Sequence, residues 1–172
     1  MTCVRSVSYR FLHNSDIFWE VMPKRGIRQG DHISPYLYIL SVEGLSAIIG
    51  RNEEAWLIHG YTIARGAPPI SHLLFFDDCY FFFRALETEA CSMKRILQRY
   101  EMVSGQVVNN NKSAIIFSTN TGRADREKVC ASIGVLEIDK PGKYLGLPIF
   151  VGRNKIKMFG FLVDRVGQKV QG

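Results

Sequence analysis

The sequence predicts an α+β fold in which antiparallel strands lie against helices, and three observations carry that prediction. First, the most apolar run of the chain, Leu73 to Phe83, is interrupted by the acidic pair Asp77-Asp78. Its halves, Ile70 to Phe76 and Tyr80 to Phe83, are short, aromatic-rich and bounded by turn formers, as in a β-hairpin. Second, Ser34-Pro35 opens an apolar stretch of helical length. Third, apolar residues after Thr88 recur at helical spacing. Strands, a buried helix, the acidic hairpin, a helix and a further strand then follow one another, which packs as sheet against helix.

Composition sets the bounds. The chain of 172 residues, 47% hydrophobic and 22% charged, is long enough for one domain with a core and lacks the signature of disorder. A net charge of +6 fits a polyanionic partner without naming one. The four cysteines, Cys3, Cys79, Cys91 and Cys130, form no Cys-x-x-Cys pair and have no histidine at finger-like spacing. Neither a disulfide framework nor a structural zinc site is therefore expected, and a reducing intracellular compartment fits best. Pro35 to Gly50 is too short, and with Glu43 too polar, to cross a bilayer. The first ten residues have no continuous apolar core of the kind a signal peptide needs.

In chain order, Cys3 to Phe11 alternates with an imperfect period of two, suggesting a half-buried strand. His13 to Asp16 is turn-like, Ile17 to Met22 returns as a second strand, and Pro23 to Gly26 closes it. At Ser34-Pro35 the hydroxyl is placed to cap a free N–H, while proline in the first turn sacrifices no bond. That helix is expected to stop at Gly50. Its apolar residues, among them Tyr36, Leu37, Ile39, Leu40 and Leu45, nearly encircle it and predict burial. Gly60 to Arg65 is a possible strand, ended by Pro68-Pro69. After the hairpin, Thr88 caps a helix with Ala90, Met93, Ile96, Leu97, Tyr100 and Val103 on one side, stopped at Ser104-Gly105. Three asparagines at 109 to 111 turn the chain into a strand at Ala114 to Phe117. A weaker amphipathic helix at Arg123 to Ile133, a short hairpin within Lys143 to Val151 and a basic tail complete the chain.

The chemistry centres on Asp77 and Asp78. Ionised carboxylates beside so much apolar surface must either point into water or hold a cation. On local grounds an Asp-Asp tip is more often a solvated turn, because aspartate bonds its own backbone there. Four stretches taken together alter that balance. They are Arg25-Gly26-Ile27-Arg28-Gln29-Gly30-Asp31 with Ile33-Ser34-Pro35, then Phe75-Phe76-Asp77-Asp78. Ser104-Gly105-Gln106 with Val108-Asn109 and Lys112-Ser113 comes next, followed by Lys143-Tyr144-Leu145-Gly146-Leu147-Pro148. In this order and spacing they resemble the reverse transcriptase of plant non-LTR (LINE-type) retrotransposons, a likeness that covers nearly the whole chain.

The resemblance implies a partial polymerase palm over residues 1–151, a ferredoxin-like antiparallel sheet backed by helices. Residues 152–172 would begin a truncated thumb or connection. It implies template-directed DNA synthesis by two-metal phosphoryl transfer, with Mg2+ or Mn2+ as cofactor and an RNA template and DNA primer as partners. By the same resemblance Asp77 would ligate metal with Asp78 in support. Arg28, Gln29, Gly30 and Phe76 would lie against nucleotide and template, Lys112 near the departing pyrophosphate, and Leu145 and Gly146 on the primer side. A polar turn, a solvated lysine and an ordinary hairpin are the local alternatives for these residues.

Several positions depart from the family pattern. A further catalytic aspartate is expected from a strand upstream of the Arg25-Gly26 turn, beyond residue 1, and the fingers are expected there too. Phe76 stands where the family has a smaller residue, crowding the primer end; His32 replaces proline, and Cys79 a hydroxyl residue. The expectation is a fragment that does not polymerise alone, intracellular, in nucleus or cytoplasm or as an organellar copy, and without membrane association. Two other readings stay open. One is a nucleic-acid-binding remnant using Arg25, Arg28, Lys112, Arg153, Lys155 and Lys157 on phosphates; the other is a non-functional pseudogene product with exposed sheet edges. A hydrolase built on Ser71, His72 and Asp77 has little support, since no nucleophile-elbow pattern surrounds Ser71.

Overall fold

A computed structural model describes residues 8–14, 16–23, 26–76 and 78–139, together with 143–144, 147–148, 160 and 166–170. Strands β1 (Tyr9–His13) and β2 (Asp16–Val21) form an antiparallel hairpin with an irregularity between Phe11 and Leu12. Helix α1 (Ser34–Glu54) leads to a second hairpin, β3 (His72–Phe75) with β4 (Asp78–Phe81). Helices α2 (Glu87–Ser104) and α3 (Arg123–Ile133) follow, then the short pair β5 (Lys143–Tyr144) and β6 (Leu147–Pro148).

The mixed helix and antiparallel-strand character agrees with the sequence reading. The sheet itself differs from expectation: among the described residues the strands make three separate two-stranded ribbons rather than one continuous sheet. Ala114 to Phe117 contributes a single parallel bridge, Ile115 to Glu137, and the Gly60 to Arg65 segment a single antiparallel one, Tyr61 to Ile70. At the second bridge Gly60 is required by close approach. A Cβ there would stand 2.7 Å from the Ile70 carbonyl carbon and 2.9 Å from the Ser71 nitrogen.

The core sits between the C-terminal half of α1 and α2. Leu45, Ile49, Ile58, Met93, Ile96 and Tyr100 form it, with Leu74 and Phe81 of the acidic hairpin, Phe83, Ile48 and Leu97 packed around. Apolar burial of this kind is worth roughly 1.5–3 kcal/mol for each fully covered side chain. Expected burial fails in two places. Strand β1, read as half-buried, exposes Phe11 and Leu12, and its partner β2 exposes Ile17 and Trp19; α1, read as buried throughout, exposes Tyr36, Ile39 and Leu40 in its N-terminal half. The reason is shared: among the described residues no element covers those faces, and apolar patterning names a face able to be buried without supplying its cover.

Helix ends also differ in detail. The Ser34 hydroxyl does not cap α1; it donates to the Arg28 carbonyl at 2.5 Å, while the Asp31 carboxylate accepts the Ile33 N–H at 3.1 Å. Gly50 does not stop α1, which continues to Glu54; a helical glycine is tolerated where neighbours on the same helix hold both sides. Thr88 lies inside α2, and its start is secured by Glu89. Gly105, at φ +74, ends α2 as expected. No helix among the described residues is long and apolar enough to cross a membrane.

Candidate active site

The acidic hairpin is set against α1 at both ends. At its base Ser71, 4% exposed, donates to the Glu53 carboxylate at 2.7 Å. Having spent its proton there, the Ser71 hydroxyl accepts from His72 Nδ1 at 2.9 Å, which leaves Nε2 to accept from the Ser46 hydroxyl at 2.8 Å. This relay ties β3 to α1 and engages the Ser71 hydroxyl and both ring nitrogens of His72, so these two side chains act as structural ties. At the tip, the Tyr38 hydroxyl of α1 donates to the Phe76 carbonyl.

The tip is a two-residue connection between the paired residues Phe75 and Asp78. Its first residue, Phe76, has φ +52 and is 76% exposed. Two-residue hairpin turns need left-handed backbone at this place, which favours asparagine or glycine. Asp77 lies outside the described residues. Asp78 is not in the turn itself but is the first residue of β4, exposed. Directly paired residues share a face, so Asp78 stands with Phe75, Leu73 and Tyr80, opposite the face on which Leu74 and Phe81 meet the core.

The turn carrying Arg28, Gln29 and Gly30 enters the same N-terminal end of α1. All three are exposed. Gly30 has φ +83 with open space around it, so backbone conformation, not a protein neighbour, calls for glycine here. The third motif is bound to α1 through α2: Ser41 and the Tyr100 hydroxyl lie 3.1 Å apart, and Tyr100 donates to Gln106 Oε1 at 2.8 Å. Since Tyr100 gives its proton to Gln106, Ser41 donates to Tyr100. Beyond it, Asn109 organises the lysine loop, its side chain accepting from the Asn111 and Lys112 amides and its carbonyl from the Ser113 hydroxyl. Lys112 is exposed on this loop. Leu145 and Gly146 lie outside the described residues, as do Arg25, Arg153, Lys155 and Lys157.

The N-terminal half of α1 is thus the frame that gathers three of the motifs. Tyr38, Ser41, Tyr100 and Gln106 do the gathering, and the sequence reading did not single out their role. The available signal was polar: a serine within an apolar helix and a tyrosine at a core position each need a hydrogen-bond partner. No ion pair joins Asp78 to Arg28 or Lys112 among the described residues. Nor do the described residues include a group of three histidine, cysteine, aspartate or glutamate side chains able to hold a metal ion. Asp77, to which the resemblance assigns metal ligation, lies outside them.

Comparison with known proteins supplies the lineage. Residues 4–149 match the family described as reverse transcriptase (RNA-dependent DNA polymerase). An uncharacterized mitochondrial protein of Arabidopsis thaliana is 48% identical over 58 residues, which is 34% of this chain. The aligned stretch spans about half, 48%, of that relative's length. No solved structure matches the chain. Because the family match runs through the basic turn, α1, the acidic hairpin and the lysine loop, the chain belongs to the reverse transcriptase family.

Proposed function

We propose that this chain is the palm portion of a plant LINE-type retrotransposon reverse transcriptase. In this reading residues 1–151 form the palm and 152–172 a basic tail, and the chain binds a primer–template duplex without extending it alone. The observation that supports the reading is that the Arg28–Gly30 turn, the Phe76–Asp78 tip and, at Gln106, the segment leading to Lys112 are each bonded to the N-terminal half of α1, through Ser34, Tyr38 and the Ser41–Tyr100 pair. Arg28 and Lys112 offer positive charge to phosphates. Asp77 and Asp78 mark the polymerisation site by descent, and Leu145 and Gly146 its primer side. Catalysis would need further carboxylates to complete a Mg2+ or Mn2+ pair. An organellar location finds support in the mitochondrial name of the Arabidopsis relative.

The test is binding of an RNA template annealed to a DNA primer, titrated against salt. Each phosphate contact contributes about 0.9 to the slope of log affinity against log salt. Arg28→Ala and Lys112→Ala should each lower that slope by about that amount while leaving sequence preference unchanged. Affinity that is insensitive to salt and to both changes contradicts the proposal.

A further inference from the structure

A second site lies at the other end of α1. The loop leaving that helix and the start of α2 enclose a cleft of about 480 Å3, within the range of small-ligand sites, lined by Trp56, His59, Arg84, Glu87, Cys91 and Arg95 among others. Its most unusual member is Trp56. The Trp56 N–H bonds to the Glu53 carbonyl at 2.9 Å and the Leu57 N–H to the Asn52 carbonyl at 2.9 Å. With Ala55 as cap, these bonds make a Schellman ending whose left-handed position is normally glycine. Here it is a tryptophan at φ +58. An L residue in that conformation is sterically disfavoured, and bulky ones are rare there. Burial does not compensate, since Trp56 is 78% exposed, its ring tilted at 53° to that of His59 with 5.7 Å between centroids. A locally unfavourable residue, presented to solvent at the mouth of a cleft, marks a binding role.

The rest of the lining defines the ligand. The Arg84 guanidinium is exposed and takes part in no hydrogen bond or ion pair among the described residues. Arg95 is held at the rim by its bonds to Ser92 Oγ at 3.1 Å and the Cys91 carbonyl. Glu89 is turned inward and satisfied by His59 and the Arg84 amide, which leaves the exposed Glu87 as the free carboxylate acceptor. A flat stacking face, two guanidiniums and one acceptor suit a base with its flanking phosphates. A duplex keeps its bases stacked and out of reach of Trp56, so the strand must be single.

We propose that this cleft binds single-stranded nucleic acid, one base stacking on Trp56 and adjacent phosphates meeting Arg84 and Arg95. From Tyr38, which holds the acidic tip, to Trp56 is about 27 Å along the helix at 1.5 Å per residue. A strand passing both sites would cover roughly eight stacked nucleotides at 3.4 Å each. That spacing rests on the proposed function; binding at the cleft does not.

The chain has two tryptophans, so the Trp19→Phe protein reports on Trp56 alone. Titrating it with an unstructured pyrimidine 12-mer should quench fluorescence saturably. In a strand-binding assay, Trp56→Gly, which also relieves the backbone, should weaken affinity roughly 5- to 150-fold, the value of one stacked base. Arg84→Ala with Arg95→Ala should lower the salt slope by about 1.4, for two single-strand contacts at about 0.7 each. Absence of saturable quenching, quenching by uridine monophosphate as strong as by the 12-mer, or an unaltered salt slope in the arginine variant would each overturn the proposal. Such a result with salt-dependent duplex binding intact would leave the palm reading standing; loss of duplex binding with quenching intact would overturn that reading alone.

Discussion

Replacing Glu89 tests the part of the fold that joins the loop after α1 to the start of α2. Its carboxylate, 3% exposed as a residue, accepts from the His59 amide at 3.0 Å, the Arg84 amide at 3.0 Å and His59 Nδ1 at 2.7 Å. Glu89→Ala removes both acceptor oxygens and with them all three hydrogen bonds. The imidazole, partly exposed, can turn to water, so the cost falls on the two amides at about 1–3 kcal/mol each. Arg84 is itself exposed, which admits water to one of them, so we expect a loss of about 3 kcal/mol. Glu89→Gln should cost only about 1 kcal/mol. Its amide oxygen can accept both backbone N–H groups while its NH2 donates to His59 Nδ1, the ring proton moving to Nε2. Urea unfolding followed by circular dichroism, with the slope m checked for constancy, measures both. An alanine variant within 0.5 kcal/mol of the parent, or a glutamine variant as damaged as alanine, refutes this assignment of the three bonds.

Other changes give simple signs. Gly60→Ala drives a Cβ into the Ile70 backbone and should destabilise by about 2 kcal/mol or more in the same assay, because backbone cannot swing aside as a side-chain end can. Phe76→Asn suits the left-handed turn better and should raise stability by about 1 kcal/mol, read as a higher urea midpoint at constant m. Burial raises the Cys130 thiol above its ordinary range, and the nearby Glu137 adds to the rise. Folded Cys130 should therefore alkylate more slowly than the exposed Cys79 and Cys91 at mildly alkaline pH, as mass spectrometry of iodoacetamide-treated protein would show. Since the folded form holds that proton more tightly, this group's contribution to stability falls as pH rises through the thiol range.

The legible parts of the fold were those written in local chemistry. Ser34-Pro35 located the start of α1, the aromatic run around Asp77-Asp78 the hairpin, and Ser104-Gly105 the end of α2. Less legible was anything that depends on distant partners. Phe11 and Trp19 face each other across β1 and β2 as alternation implies, yet nothing in the alternation says whether a neighbour covers them. Gly50 looked like a stop because glycine often ends helices, but the chain closes α1 six residues later with Trp56 in the glycine-favouring place. At the site, the sequence marked Arg28, Asp78 and Lys112 and left out Tyr38, Ser41 and Tyr100 that gather their segments. A tyrosine on an apolar helix reads as packing until its hydroxyl is seen bonded across 38 residues to Phe76.

Primer extension tests the central claim most directly. With an RNA template, a DNA primer, deoxynucleotides and either Mg2+ or Mn2+, the chain should bind the duplex in a salt-dependent manner and add no nucleotide. Extension by this chain, abolished by Asp77→Ala, would contradict the account and show a complete polymerase site where we propose an incomplete one.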